Sequence, residues 1–216
     1  MIVGERKPFD EIKESINDYK NILILGCGTC VSVCMAGGEK EVELLSSQLK
    51  MSSKLEGTTP IISEATIQRQ CDREYIEPII PMVKDCDAVV SMACGAGVQF
   101  VAELLEPMPV IPAINTNFIG VTEAEGRWSE RCSACGDCRL GSYGGICPVT
   151  ICAKGLLNGP CGGATLGKCE AGNDKDCAWE LIYNRLKQQQ RLDNLQQALN
   201  FYDNKLQAHP ARLIKE

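Results

Sequence analysis

Fourteen cysteines and a single histidine stand in a chain of 216 residues. Near the amino end, "GCGTCVSVCMAGG" puts two residues between Cys27 and Cys30 and three between Cys30 and Cys34. Cys71, Cys86 and Cys94 follow singly, and eight more fall between Cys132 and Cys177 inclusive. Close thiol spacing lets one loop wrap a face of a metal cluster. Soft thiolates without imidazole partners suit iron–sulfur clusters first and all-cysteine zinc second. His209, next to Pro210, reads as a solvated helix-end residue, and a Cys/His zinc module needs more histidine than this.

The compartment matters, because the same cysteines in a secreted chain would read as disulfides. The start "MIVGERKPFDEIKES" carries early charges with no apolar region after them, which does not read as a signal peptide. A cytoplasmic, reducing setting is the expectation. The formal net charge is -6 with no basic stripe, which argues against nucleic acid as a partner. No apolar run approaches the ~18 residues that span a bilayer, so no membrane insertion is expected. Acidic residues are scattered, and no nucleophile–base pair stands out. No catalytic residue is assigned.

These thiols need a scaffold. "PFDEIKESINDY" (8–19) spaces Phe9, Ile12, Ile16 and Tyr19 as one face of a helix. Asn21 to Gly26 reads as a buried parallel strand. "GGEKEVELLSSQLK" follows as a helix with Val42, Leu45 and Leu49 on one side. "GTTPIISEATI" (57–67) gives a second strand. "DREYIEPIIPMVKD" (72–85) is helical in pattern, with Pro78 and Pro81 disturbing it. "CDAVVSMACGAG" (86–97) reads as a third strand and a glycine turn, "VQFVAELL" (98–105) as a helix, and "MPVIPAIN" (108–115) as a fourth strand near an edge. Alternating strands and helices predict a Rossmann- or flavodoxin-like α/β parallel sheet of about four strands over 1–126. Residues 127–178 form a cysteine-rich module with too little apolar periodicity to fold by burial alone, so metal is expected to hold it. Residues 179–216 read as helical, with stripes at Trp179, Ile182 and Leu186, then Leu192, Leu195 and Leu199. They would dock on the core or on a partner.

In an open parallel sheet, ligands collect outside the carboxyl ends of the strands. If the first of these strands lies between the second and third, Cys27, Cys71 and Cys94 converge at one rim, joined by Cys30 and Cys34. A [4Fe–4S] cluster takes four thiolates. Cys27, Cys30, Cys34 and Cys94 are the expected set, with Cys71 as the alternative fourth ligand. Gly26, Gly28, Gly95 and Gly97 would bring backbone close and offer N–H groups to sulfur. Cys86 precedes its strand and reads as a buried packing residue at the other rim. A nucleotide reading of the same turn fails on its fingerprint: Val31 stands where G-x-G-x-x-G requires its third glycine.

"CSACGDC" (132–138) is a C-x2-C-x2-C run, and Cys147 precedes Pro148, as in part of the bacterial ferredoxin pattern. Cys132, Cys135, Cys138 and Cys147 are the expected second cluster, in a small ferredoxin-like module. Cys152, Cys161, Cys169 and Cys177 are alternatives for its fourth ligand, or the makings of a further cluster or a zinc site.

Together, "GCGTCVSVCMAGG", "SMACGAGVQ", "CSACGDC" and the "GPCGG…KCE…DCAWELIYNRL" tail resemble the small iron–sulfur subunit of acetogen-type methylenetetrahydrofolate reductase, also called the methylenetetrahydrofolate reductase C-terminal domain family. That resemblance implies two [4Fe–4S] clusters and electron transfer, with no flavin on this chain. It implies a TIM-barrel partner subunit that binds flavin and folate, and a donor such as ferredoxin or a further redox subunit. The competing readings are a zinc-stapled interaction scaffold, the iron–sulfur subunit of a different flavoenzyme, and a stand-alone nucleotide enzyme.

Overall fold

A computed structural model describes residues 1–196 and 202–215. The chain divides into two compact units. One comprises Met1–Phe118 and Thr122–Trp128, the other Ile119–Val121 and Ser129–Glu216.

The first unit opens with strand β1 (Ile2–Arg6) and helix α1 (Phe9–Ser15). β2 (Asn21–Cys27), the one-turn α2 (Cys30–Val33) and the long α3 (Glu39–Leu55) follow. Next come β3 (Ile61–Ile67), the short α4 (Arg73–Ile76) and α5 (Ile80–Val83), β4 (Ala88–Met92), α6 (Gly95–Leu104) and β5 (Val110–Pro112). The four-stranded sheet runs β3-β2-β4-β5, with parallel pairing throughout. By order of appearance the strands stand 2-1-3-4, the flavodoxin-type order. The chain leaves β2 to one side for β3 and crosses to the other for β4. The condition for converging strand ends is therefore met.

Why β2 sits at the centre is plain from its residues. Ile22 through Cys27 are all buried, as a strand covered on both faces requires. Successive side chains point to opposite faces. Ile22 and Ile24 join Val42, Leu45 and Leu49 of α3 and Ile12 of α1 in one core. Leu23 and Leu25 join Ile76, Val83 and Val101 in the other. The two cores sandwich the sheet. α3 begins where the Glu41 carboxylate accepts the Gly38 N–H at 2.8 Å, a favourable charge at a helix amino end. Pro112 stands in β5, an edge strand, where its missing N–H breaks no central ladder.

Several expectations need correction. β1 precedes the first helix and was not legible in the sequence. Residues 72–85 break at their prolines into α4, a 3-10 turn at Glu77–Ile79, and α5. The turn expected around Gly95 and Gly97 is already the start of α6. Two further strands, β6 (Ile114–Ala124) and β7 (Arg127–Cys132), meet at a turn containing Gly126 at φ 72° and complete a second sheet of order β1-β6-β7.

In the second unit, α7 (Pro148–Ile151) precedes three short antiparallel strands, β8 (Ala164–Thr165), β9 (Lys168–Cys169) and β10 (Gly172–Asp176). Helix α8 (Ala178–Gln188) follows directly. Its Trp179, Ile182 and Leu186 pack with Tyr143 into a small core, so this stripe docks within its own unit. The Tyr143 and Trp179 rings meet edge to face, 5.5 Å apart. The second helix expected beyond Gln188 is a 3-10 turn at Leu192–Leu195, and Leu199 lies outside the described residues. His209 is exposed, as a solvated helix-end residue would be. Among the described residues, no helix is long and apolar enough to cross a membrane.

Candidate functional site

The rim at the carboxyl ends of β2, β3 and β4 is the first candidate. Cys27 is the last residue of β2, and Cys30 opens α2 one turn later. Cys94 caps the amino end of α6, just past β4. Cys71 lies beyond β3. Burial pushes the Cys71 thiol up, and the neighbouring Cys94, Cys27 and Cys30 push it further in the same direction. Cys71 thus follows β3 at the same end of the parallel sheet as Cys27 and Cys94.

One buried side chain brings Cys71 there. Gln70 is fully buried. Its amide donates to the Leu25 carbonyl at 2.8 Å and accepts the Ser91 hydroxyl at 2.6 Å. The residue before Cys71 is thus tied to β2 and β4 together. No spacing rule flags a lone glutamine, so sequence reasoning passed over both Gln70 and Ser91.

Cys34 is buried in the core under α3, among Val31, Val42 and Ile114, in the same cluster as Cys27 and with Cys94 packed against that cluster. Its sulfur receives the Gly4 N–H at 3.5 Å and donates toward the Gly4 and Val31 carbonyls at 3.4 and 3.5 Å. Burial raises this thiol, against the lowering pull of the Gly4 backbone. Cys27, Cys30 and Cys94 stand at the rim on β2, α2 and α6, Cys71 follows β3, and Cys34 lies at the end of α2 with its sulfur against Gly4.

The glycines of the rim also serve packing more than sulfur. The Gly28 N–H donates to the Ile67 carbonyl at 2.8 Å, and the Gly95 N–H to the Thr116 hydroxyl at 2.8 Å. A Cβ on Gly26 would stand 2.5 Å from the Thr66 hydroxyl, and one on Gly97 2.9 Å from the Ala93 methyl. Cys86 sits at the opposite end of β4. It is half-buried against the second core, and its thiol donates to the Met82 carbonyl at 3.5 Å.

The second candidate lies in the cysteine-rich unit. Cys132, Cys135, Cys138 and Cys147 line one cavity of about 260 Å³, together with Arg139, Tyr143 and Tyr202. The "CSACGDC" loop turns sharply there, with Ala134 at φ 53° and Gly136 at φ 79°. That turn points the Ala134 N–H at the Cys132 sulfur, 3.3 Å away. The Thr150 hydroxyl donates to the Cys147 sulfur at 3.6 Å. Arg139 forms an ion pair with Asp137 and lies 3.9 Å over the Tyr202 ring. Burial, then the neighbouring Tyr143, pushes the Tyr202 hydroxyl up to about 12. Arg139 adjoins a cysteine of the motif, but Tyr202, far along the chain, had no signal in the sequence.

The remaining four thiols are spread around the small sheet. Cys169 is buried in β9, Cys177 caps α8, and Cys152 receives the Leu156 N–H at 3.4 Å. Cys161 is exposed. The Gly163 N–H and then the Lys154 ammonium lower its thiol.

Among the described residues, no three Cys, His, Asp or Glu side chains are gathered tightly enough to hold a single metal ion. Four sulfurs around one zinc would stand about 3.8 Å apart, given Zn–S bonds of about 2.3 Å. A cubane gives each thiolate its own iron and accepts a wider set. The donor chemistry of both thiol groups, sulfur only and partly shielded from water, fits that kind of centre.

Residues 111–205 match the family model described as "Methylene-tetrahydrofolate reductase C terminal". The match takes in the whole cysteine-rich unit through α8 and links it to methylenetetrahydrofolate reductase. No curated protein matches the chain.

Proposed function

We propose that this chain is the electron-transfer, iron–sulfur subunit of a methylenetetrahydrofolate reductase complex. The observation that carries the reading is the cavity framed by Cys132, Cys135, Cys138 and Cys147, inside the stretch that matches the reductase C-terminal family. The other four-thiol set, at the rim, takes Cys27, Cys30 and Cys94 with Cys71 or Cys34 as its fourth member. When bound, [4Fe–4S] clusters supply one-electron storage at potentials the protein tunes. The chain's own part is to hold the thiolates, aim backbone donors at them and exclude water. Its partner is a flavin-binding catalytic subunit that reduces methylenetetrahydrofolate to methyltetrahydrofolate, and its donor is ferredoxin or a similar carrier. The chain lies in the cytoplasm.

The test is anaerobic co-expression with a flavin-binding methylenetetrahydrofolate reductase subunit, with iron, zinc and flavin quantified per complex. A brown complex with about eight irons on this chain, flavin on its partner, and ferredoxin-dependent reduction is the expected result. A colourless chain that keeps only zinc, or an iron-loaded chain that neither binds the flavoprotein nor passes electrons to it, overturns the reading.

A further inference from the structure

The cavity of the second cysteine set has a wall that comes from neither the cysteine loop nor its flanks. Tyr202 lines it, as do residues of 131–147. Its ring lies 3.9 Å under the Arg139 guanidinium, within the range of a cation–π contact. Arg139 cannot swing freely, because Asp137 holds it through Nε at 2.7 Å and Nη2 at 2.6 Å. The chain after Tyr202 is also seated on the cysteine loop. A Cβ on Gly136 would come within 3.0 Å of the Leu206 Cβ and 3.2 Å of the Leu206 carbonyl. Gly136 therefore leaves room for the returning segment, which starts its 3-10 turn at Asn204 with Asp203 accepting the Lys205 N–H at 3.0 Å.

We propose that Tyr202 is a positioning residue of this site: clamped by Arg139 and seated through Leu206 on Gly136, its ring closes the cavity of Cys132, Cys135, Cys138 and Cys147 against solvent. The proposal rests on reading that cavity as a cluster site. Exposed clusters lose iron and shift in potential as water reaches their sulfurs. A tyrosine ring from the carboxyl-terminal side keeps water out without adding a competing ligand.

The experiment uses the full-length chain carrying Cys30→Ala, which removes a thiol common to both candidate sets at the rim and leaves iron at the second site as the reporter, reconstituted anaerobically with iron and sulfide. The rate of iron loss to an excess of ferrous chelator in air is followed through the visible absorption. Tyr202→Ala is expected to speed the loss severalfold, and Tyr202→Phe, which keeps the ring, to restore the slow rate. Amide exchange across α8 is expected to be the same in all three. An unchanged loss rate in Tyr202→Ala overturns the proposal. So does a Phe variant as fast as the Ala variant, or faster exchange in α8, since that would mean general loosening. If the parent chain takes up no iron, the reading of the cavity as a cluster site falls as well, a result distinct from a loaded chain indifferent to Tyr202.

Discussion

At the scale of single residues, Cys34 and Cys71 are the two candidates for the fourth ligand at the rim, and their surroundings differ. Cys34 shares a loop with Cys27 and Cys30, and C-x2-C-x3-C reads as one ligand run. One helical turn points Cys34 into the core instead, where Gly4 meets its sulfur. Cys71 stands 37 residues beyond Cys34, and burial and the neighbouring Cys94, Cys27 and Cys30 push its thiol up. Cys71→Ala is expected to lower iron content by about four per chain. Cys34→Ala keeps the iron and costs about 1 kcal/mol of stability through lost packing and hydrogen bonds. Iron analysis with urea unfolding checks both, and the reverse pattern would restore Cys34 as the ligand. Cys34 also carries a pH signature. Its thiol is raised in the fold, so as pH climbs through the ordinary thiol range, about 8.5, the unfolded chain gives up its proton first. The contribution is complete below that range and shrinks as pH rises through the folded value. Unfolding of the metal-free chain from pH 8 to pH 10 should show a shallower decline in Cys34→Ala than in the parent, and equal slopes would refute this account.

At the scale of elements, the rim depends on how loops are tied to the sheet. Gln70 replaces a water or a backbone partner for the Leu25 carbonyl and the Ser91 hydroxyl, both in the interior. Gln70→Leu leaves those groups unpaired and is expected to cost about 2 kcal/mol. It also frees the loop that carries Cys71, so iron at the first site should leave faster than in the parent. A Gln70→Leu chain with unchanged urea midpoint and unchanged iron retention would show that Gln70 positions nothing. The central elements were legible because their signals are physical and local: a continuous apolar run for β2, and the 3.6 period of Val42, Leu45 and Leu49 for α3. The strand order was only a condition for the cysteines to converge, and the sheet order β3-β2-β4-β5 meets it. β1 and β6 were not legible, since "IVGER" and "INTNFIGVTEA" alternate too weakly with polar residues to separate strand from loop. The C-x2-C-x2-C run was legible as one side of a site, and Cys132, Cys135, Cys138 and Cys147 do line one cavity, whereas Tyr202, remote in sequence from that loop, was not legible, because only the folded chain brings it back to the cavity.

At the scale of the molecule, the two units draw their stability from different sources. The first buries two apolar cores against a central sheet, with Leu23, Leu25 and Val90 fully excluded from water. The second has only Tyr143, Trp179, Ile182 and Leu186 at the heart of its core, and its strands are two to five residues long. So small a core supplies at most ~3–5 kcal/mol, and the ordering entropy of a glycine-rich segment nearly cancels it. On the proposed reading, metal bound by thiolates of the folded state would make up the difference, since binding energy becomes folding energy. Removing the metal should therefore divide the chain. Amides of β2 and β4 are expected to stay protected from hydrogen exchange in the metal-free protein, while those of 132–177 exchange at rates near the unfolded limit. Restoring iron and sulfide anaerobically should return protection to the second unit. Uniform protection across both units without metal would show that the cysteine-rich unit stands on packing alone, and that its thiols are not what holds it together.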